Sequence, residues 1–216
     1  MLTAHTFCFN PFQENTYVLS DASGECVIID PGCYSKSEQS ELVEFVYRHN
    51  LNPVAVWLTH CHIDHILGLR FCEKEWNLPY YLSAGEIPQL KAVEVYAPNY
   101  GFYDVELPEK DGIVIHQNEL LLGENKFEAF SVPGHSPDHL AFYHRETNQI
   151  WSGDVLFRQS IGRTDLPGGD FETLKHSIQK ILYALPDQTI VHPGHGPETT
   201  IGFEKRANSF VKEDKS

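Results

Sequence analysis

The six residues His60-Cys61-His62-Ile63-Asp64-His65 hold three imidazoles and one carboxylate. They follow the apolar run Val54-Ala55-Val56-Trp57-Leu58, which reads as a buried strand that stops abruptly. A hydrophobic core has no use for such a cluster. Neutral imidazole and ionised carboxylate are the natural ligands of zinc and similar divalent metals. Alternate residues of an extended chain share a face, so His60, His62 and Asp64 are expected to converge on one point while His65 turns to another. Two diverging sets suggest two metals. Cys61 lies between two of these residues, and the same alternation points its thiol away from them, which makes it a non-ligand.

Three later segments share this character. Ser131-Val132-Pro133-Gly134-His135 places a histidine on a Pro-Gly turn just past a strand, and His192-Pro193-Gly194-His195 repeats the form. Trp151-Ser152-Gly153-Asp154 ends a strand on an aspartate. A lone histidine of this kind is usually a surface or capping residue, but His135, Asp154 and His195 together with the first cluster make an ordered set that chance rarely supplies. Asp30 ends a third buried strand in Asp30-Pro31-Gly32, and is either a turn former or a functional group of the kind α/β folds place at strand ends. His139 reads as a hydrogen-bonding support for the site, and His192 as at most a supporting group.

The elements that must carry these residues follow from periodicity. Strands are expected at residues 3–9, 16–19, 26–29, 54–58, 80–82, 113–116, 119–122, 127–132, 140–144, 150–152 and 189–191. A helix is expected over 35–49, with Ser37 or Ser40 as cap and Leu42, Phe45, Val46 and His49 on one face. Another is expected over 66–76, with His65 near its start and Gly68 allowing close packing. Further helices are expected over 83–95, over 171–184 with Asp170 as N-cap, and in a short polar tail from Phe203. The aromatic-rich stretch from Tyr96 to Tyr103 is either a lid or a flap packed on the core. Each half of the chain runs strand–Asp, helix, strand–His, a weak internal symmetry that would build a site where the halves meet.

With 216 residues the chain is long enough for a sizeable core and reads as a single domain over 1–216. Its formal charge of −14 argues against nucleic-acid or anionic-membrane partners. Two divalent metals would leave the charge at about −10. No apolar window reaches the roughly 18 residues of a membrane span, and the start has no signal-peptide form. The five cysteines are odd in number and lack CxxC pairing, which places the protein in the reducing cytoplasm.

With these motifs in view, the sequence resembles the metallo-β-lactamase-fold hydrolases, and Ser152–Ile178 is similar to the single-domain glyoxalase II-like branch, the hydroxyacylglutathione hydrolases. The resemblance covers nearly the whole chain. It implies an α/β fold, a four-layer αβ/βα sandwich with metals at the edge of the two sheets. It implies that His60, His62 and His135 hold one metal, that Asp64, His65 and His195 hold a second, that Asp154 bridges them, and that Asp30 supports the set. It further implies two divalent ions, zinc with iron or manganese as alternatives, and hydrolysis of a small-molecule thioester such as S-lactoylglutathione by a bridging hydroxide whose proton Asp64 steers. Arg163 either holds a substrate carboxylate or pairs with Asp165 or Asp170. The helical extension that gives glyoxalase II much of its glutathione contact has no counterpart in the 21 residues after His195. A rival on the same fold is a mononuclear iron persulfide dioxygenase, with His60, His135 and Asp154 as a facial triad. Oligomeric state is not legible.

Overall fold

The computed structural model describes residues 2–116 and 119–212. Two compact units make up the chain, residues 1–116 with 121–125 and residues 117–120 with 126–216.

The first unit is built on a six-stranded sheet in simple sequence order: β1 (Thr3–Phe9), β2 (Glu14–Ser20), β3 (Glu25–Ile29), β4 (Asn52–Trp57), β5 (Tyr80–Leu82) and β6 (Ile113–Val114). The first three strands are antiparallel and the last four run parallel. β1 is an edge strand. β3 and β4 end side by side, so the loops after them bring Asp30 and His60 to one end of the sheet. The core includes Val18, Ile28, Leu42, Val56, Leu58 and Ile66.

Helix α1 (Lys36–Arg48) is capped by Ser35, not by Ser37 or Ser40. The Ser35 side chain accepts from the Glu38 N–H while Glu38 accepts from the Ser35 N–H, a reciprocal box that neither serine further on could make. Leu42 and Val46 are its buried residues.

Where a helix is expected over 66–76, helical structure begins earlier and is interrupted, as α2 (Ile63–Ile66) and α3 (Leu69–Trp76). The break has a tertiary cause. The Gly68 N–H donates to Pro31 O at 2.7 Å, which takes it out of the helical ladder. Gly68 is required there, because a Cβ would lie 2.4 Å from Cys33 Sγ and 3.0 Å from Pro31 O.

A single 3-10 turn (Ala84–Glu86) leads into α4 (Ile87–Tyr96). In the aromatic stretch after it, Phe102 is buried against Tyr34 and Phe12, whereas Tyr100 and Tyr103 are exposed. Further along, buried Glu73 accepts from the Glu109 and Lys110 N–H groups, which fastens the chain beyond the stretch to α3.

The second unit carries most of the other six-stranded sheet, whose members are β7 (Glu119–Leu122), β8 (Asn125–Ser131), β9 (Leu140–His144), β10 (Gln149–Gly153), β13 (Ile190–Pro193) and β14 (Thr199–Thr200). Their order is β14-β13-β10-β9-β8-β7. β10 and β13 are parallel, and β9 is antiparallel to both β8 and β10. Strands β8, β10 and β13 therefore point the same way, and the residues just past their ends include His135, Asp154 and His195. Strands β11 (Leu156–Phe157) and β12 (Ser160–Ile161) form a separate hairpin that the sequence reading omits.

The helix expected over 171–184 is capped by Asp170 as anticipated, but only Phe171–His176 (α5) is α-helical. A π segment (Ser177–Ile181) and a 3-10 turn (Leu182–Ala184) follow. Leu174, Ile178 and Leu182 stay fully buried through these changes of pitch. The last helix, α6 (Ile201–Ala207), starts before Phe203 and is not simply polar, since it buries Ile201 and Glu204. Among the described residues no helix is long and apolar enough to cross a membrane.

Because an added methyl at Gly68 has no room against Cys33 and Pro31, Gly68→Ala is expected to cost about 1–3 kcal/mol. A thermal scan should show a Tm several degrees lower, at about 2–4 °C per kcal/mol for a chain of this size. An unchanged Tm contradicts the account of the helix break.

Candidate functional site

In the first unit the cluster departs from the extended geometry expected of it. The chain is extended only through His62 (φ −69°, ψ 151°), and Asp64 and His65 lie on the single turn of α2. His60 Nε2 and His62 Nδ1 nevertheless converge at 3.1 Å, and Asp64 Oδ2 stands 3.6 Å from His65 Nε2. Two ligand atoms on one tetrahedral zinc at about 2.0–2.1 Å sit roughly 3.3 Å apart. The spacings are those of paired metal ligands.

Asp30 is the hub of this set and not a simple turn former. It sits at φ +48°, a backbone region that favours glycine or asparagine. Its Oδ1 accepts from the Thr59 N–H at 2.7 Å, and its Oδ2 accepts from Thr59 Oγ1 at 2.5 Å. With the Thr59 proton committed to Asp30, the 3.0 Å contact between Thr59 Oγ1 and His60 Nδ1 requires the histidine to donate. His65 Nδ1 likewise donates to Asp30 Oδ2 at 3.0 Å. One carboxylate thus fixes the tautomer of two histidines and leaves both Nε2 lone pairs for a cation.

Two buried carboxylates near this set escaped the sequence reading as site residues. Glu86 accepts from the Cys61 N–H at 2.9 Å and so holds the histidine loop. Glu14 is fully buried, with Oε1 3.9 Å from His65 Nδ1. Burial pushes its carboxyl well above the usual range, opposed in part by His65. Neither carboxylate carries a local signal, since Glu14 opens β2 beside the polar Asn15 and Thr16 and Glu86 lies in the 3-10 turn before α4. Cys61 is fully buried, and its thiol is raised well above the ordinary value, first by burial and then by Glu86 and Asp30.

The second unit brings His135, Asp154 and His195 together. Asp154 Oδ2 lies 3.5 Å from His135 Nε2 and 3.5 Å from His195 Nε2. Both separations are long for hydrogen bonds and suit ligands of shared cations. His135 Nδ1 donates to the Arg163 carbonyl at 2.7 Å, which leaves Nε2 facing Asp154. The Asp154 N–H donates to His139 Nε2 at 3.2 Å. His192 stacks on Trp151 and bonds to Gln149 and Glu198.

Glycines let these loops close. A Cβ at Gly162 would lie 1.8 Å from Asp154 O and 2.9 Å from His135 Nδ1, and one at Gly134 would lie 2.2 Å from Leu174 N. The Gly194 N–H donates to Gly153 O at 2.8 Å and ties the His195 turn to the Asp154 turn.

Of the two roles open to Arg163, the structure shows the pairing. Its Nε and Nη2 both donate to Asp165 at 2.7 Å, a bidentate clasp. That clasp lowers the Asp165 carboxyl to about 2. The contribution of Arg163 to the site is its backbone carbonyl, which a sequence cannot display.

A model of the Metallo-beta-lactamase superfamily matches residues 9–195. The chain is 35% identical over 202 residues to the hydroxyacylglutathione hydrolase GloC of Haemophilus influenzae, covering 93% of each protein. Among solved structures, the BLEG-1 B3 metallo-beta-lactamase aligns with a TM-score of 0.87 at 37% identity, covering 97% of this chain and 99% of that one. TTHA1623 in a di-iron-bound form aligns with a TM-score of 0.86 at 38% identity, covering 96% and 100%.

Two outcomes are expected from this geometry. Asp30→Asn takes away the acceptor that orients His60 and His65, so chelator-competition titration should show metal affinity lowered by about 10–100-fold; wild-type affinity contradicts the assigned role. The Asp165 carboxyl should titrate near 2 by NMR. Its folded value is depressed, so the pair's small contribution is present above the ordinary Asp value of about 3.9 and is lost as pH falls through the folded value. Arg163→Ala should return the midpoint toward the ordinary value, and a midpoint that stays low contradicts the clasp as its cause.

Proposed function

Since the chain belongs to the metallo-β-lactamase superfamily and is a metal-dependent hydrolase of that fold, we propose that it cleaves a small thioester of the S-lactoylglutathione type at a dinuclear metal site. The observation that carries the reading is the donor set: His60, His62, Asp64 and His65 in one unit, and His135, Asp154 and His195 in the other, with the second nitrogens of His60, His65 and His135 already engaged. Imidazole and carboxylate donors at these spacings fit borderline divalent ions such as zinc, iron or manganese.

In this reading, as the family resemblance implies, His60, His62 and His135 would hold one ion, Asp64, His65 and His195 would hold the other, and Asp154 would be available to both. When bound, such cations would supply a hydroxide nucleophile at neutral pH and positive charge for the carbonyl oxygen. The chain's own residues do the rest. Asp64 accepts the proton of the attacking water, Asp30 keeps His60 and His65 in the ligating tautomer, and His139 fixes the loop that carries Asp154. The new C–O bond forms as the C–S bond breaks, and the products are a carboxylate and a thiol.

The substrate class is supported by the likeness to GloC over nearly the full length of both chains. The formal charge of −14 suits a small-molecule substrate better than a nucleic acid or an anionic membrane. The cysteines among the described residues are all free, which favours a cytoplasmic setting.

The test is a panel of S-lactoylglutathione, simple acyl thioesters and a chromogenic β-lactam, run with wild type and Asp154→Ala. Thioester cleavage is expected in wild type, with kcat/KM lowered at least about a hundredfold in the variant, beyond what loss of a merely supporting group costs. Turnover of the β-lactam with no thioester cleavage overturns the substrate class, and full thioester turnover by Asp154→Ala overturns the site.

A further inference from the structure

The four-residue helix that carries Asp64 and His65 is too short to hold itself together. Isolated helices below about 12–15 residues are marginal, and α2 has no side-chain cap at its start. In a continuing helix the Asp64 carbonyl would accept from the Gly68 N–H, four residues on. That N–H is given to Pro31 O instead. The donor that meets the Asp64 carbonyl comes from another part of the chain: Asn10 Nδ2, at 2.9 Å.

Asn10 is built for this contact. The same amide nitrogen donates to Gly32 O at 3.1 Å, and Oδ1 accepts from the Phe12 N–H at 3.0 Å. Two carbonyls on one side and an N–H on the other leave a single consistent orientation of the amide. The backbone is pinned as well. Asn10 sits at φ +51°, which asparagine tolerates better than most residues, and its N–H donates to Glu38 Oε1 at 2.7 Å. Glu38 is the carboxylate that also receives the Tyr34 and Ser35 N–H groups at the start of α1. Gly32 completes the clamp by having no side chain: a Cβ there would lie 2.7 Å from Asn10 Nδ2 and 2.7 Å from Asp64 O.

We propose that Asn10 is a positioning residue for the metal site, replacing the missing helical hydrogen bond at the Asp64 carbonyl and thereby setting where the Asp64 carboxylate stands. The inference rests on the reading of Asp64 as a metal ligand. It makes the turn between β1 and β2, rather than α2 itself, the support for that ligand. Glutamine, one methylene longer, cannot reach both carbonyls from the same backbone position. Aspartate has the right shape but sets a carboxylate against two carbonyl oxygens.

The decisive experiment is a cobalt(II) titration of metal-free wild type, Asn10→Asp, Asp64→Ala and the double variant, followed by absorption and by chelator competition, with thermal unfolding of each metal-free protein. Two binding steps are expected in wild type. Asn10→Asp should leave one step at wild-type affinity and weaken the other by about 10–100-fold, the scale of a lost support for a metal ligand. The weakened step should be the one that Asp64→Ala removes, with no further loss in the double variant. Asn10→Gly keeps the left-handed backbone without the amide and should weaken the same step. Wild-type affinities in Asn10→Asp overturn the proposal. So does equal weakening of both steps together with a lowered Tm of the metal-free protein, which would mark Asn10 as merely structural. A wild-type chain that binds fewer than two cobalt ions fails the dinuclear reading itself, and the wild-type titration alone shows that.

Discussion

The first unit depends on one carboxylate. Asp30 is buried at the end of β3, held in a left-handed backbone conformation, and shared between the Thr59 backbone, the Thr59 hydroxyl and His65. A buried carboxylate is costly unless its lone pairs are met. Here the groups that meet them belong to the loop that must present histidines, so satisfying Asp30 and orienting His60 and His65 are the same event. The parallel pairing of β3 and β4 makes this economical, because it brings the end of one strand beside the end of the next. Glu86 at the Cys61 N–H and Asn10 at the Asp64 carbonyl extend the same logic, with long-range side chains meeting backbone groups that a short irregular loop leaves unpaired.

The second unit reaches a comparable result by a different route. Its three ligand-type residues follow three strands that run in one direction, and its turns are made close-fitting by Gly134, Gly162 and the Gly153–Gly194 bond. His135 takes its orientation from the Arg163 carbonyl rather than from a carboxylate. The Arg163 guanidinium, the cation a sequence reader would aim at a substrate, is spent on Asp165 and helps to shape the loop that offers that carbonyl.

These details explain what could be read from the residues alone. The ligand-type residues were legible because histidines and aspartates just past buried strands conflict with every simple packing role, and several together conflict more. Most strands were legible because β-sheet alternation is local. The cap of α1 was misplaced by a few residues because Ser35, Ser37 and Ser40 are alike until Glu38 is seen folding back. The break at Gly68 was hidden because its cause, the Pro31 carbonyl, lies far away in sequence. Glu14, Glu86 and Asn10 were missed as site residues for the same reason, since their partners are decided by tertiary structure. The π segment after α5 left its apolar spacing intact, so the sequence shows one helix where the backbone has three kinds of turn.

The most direct test of the account is the metal content of the protein as purified without chelator, measured by elemental mass spectrometry against chain concentration. The account predicts close to two divalent ions per chain, whether zinc, iron or manganese. A single iron per chain that saturates binding would contradict the dinuclear site, and protein with no metal that takes up none on exposure would contradict the central claim altogether.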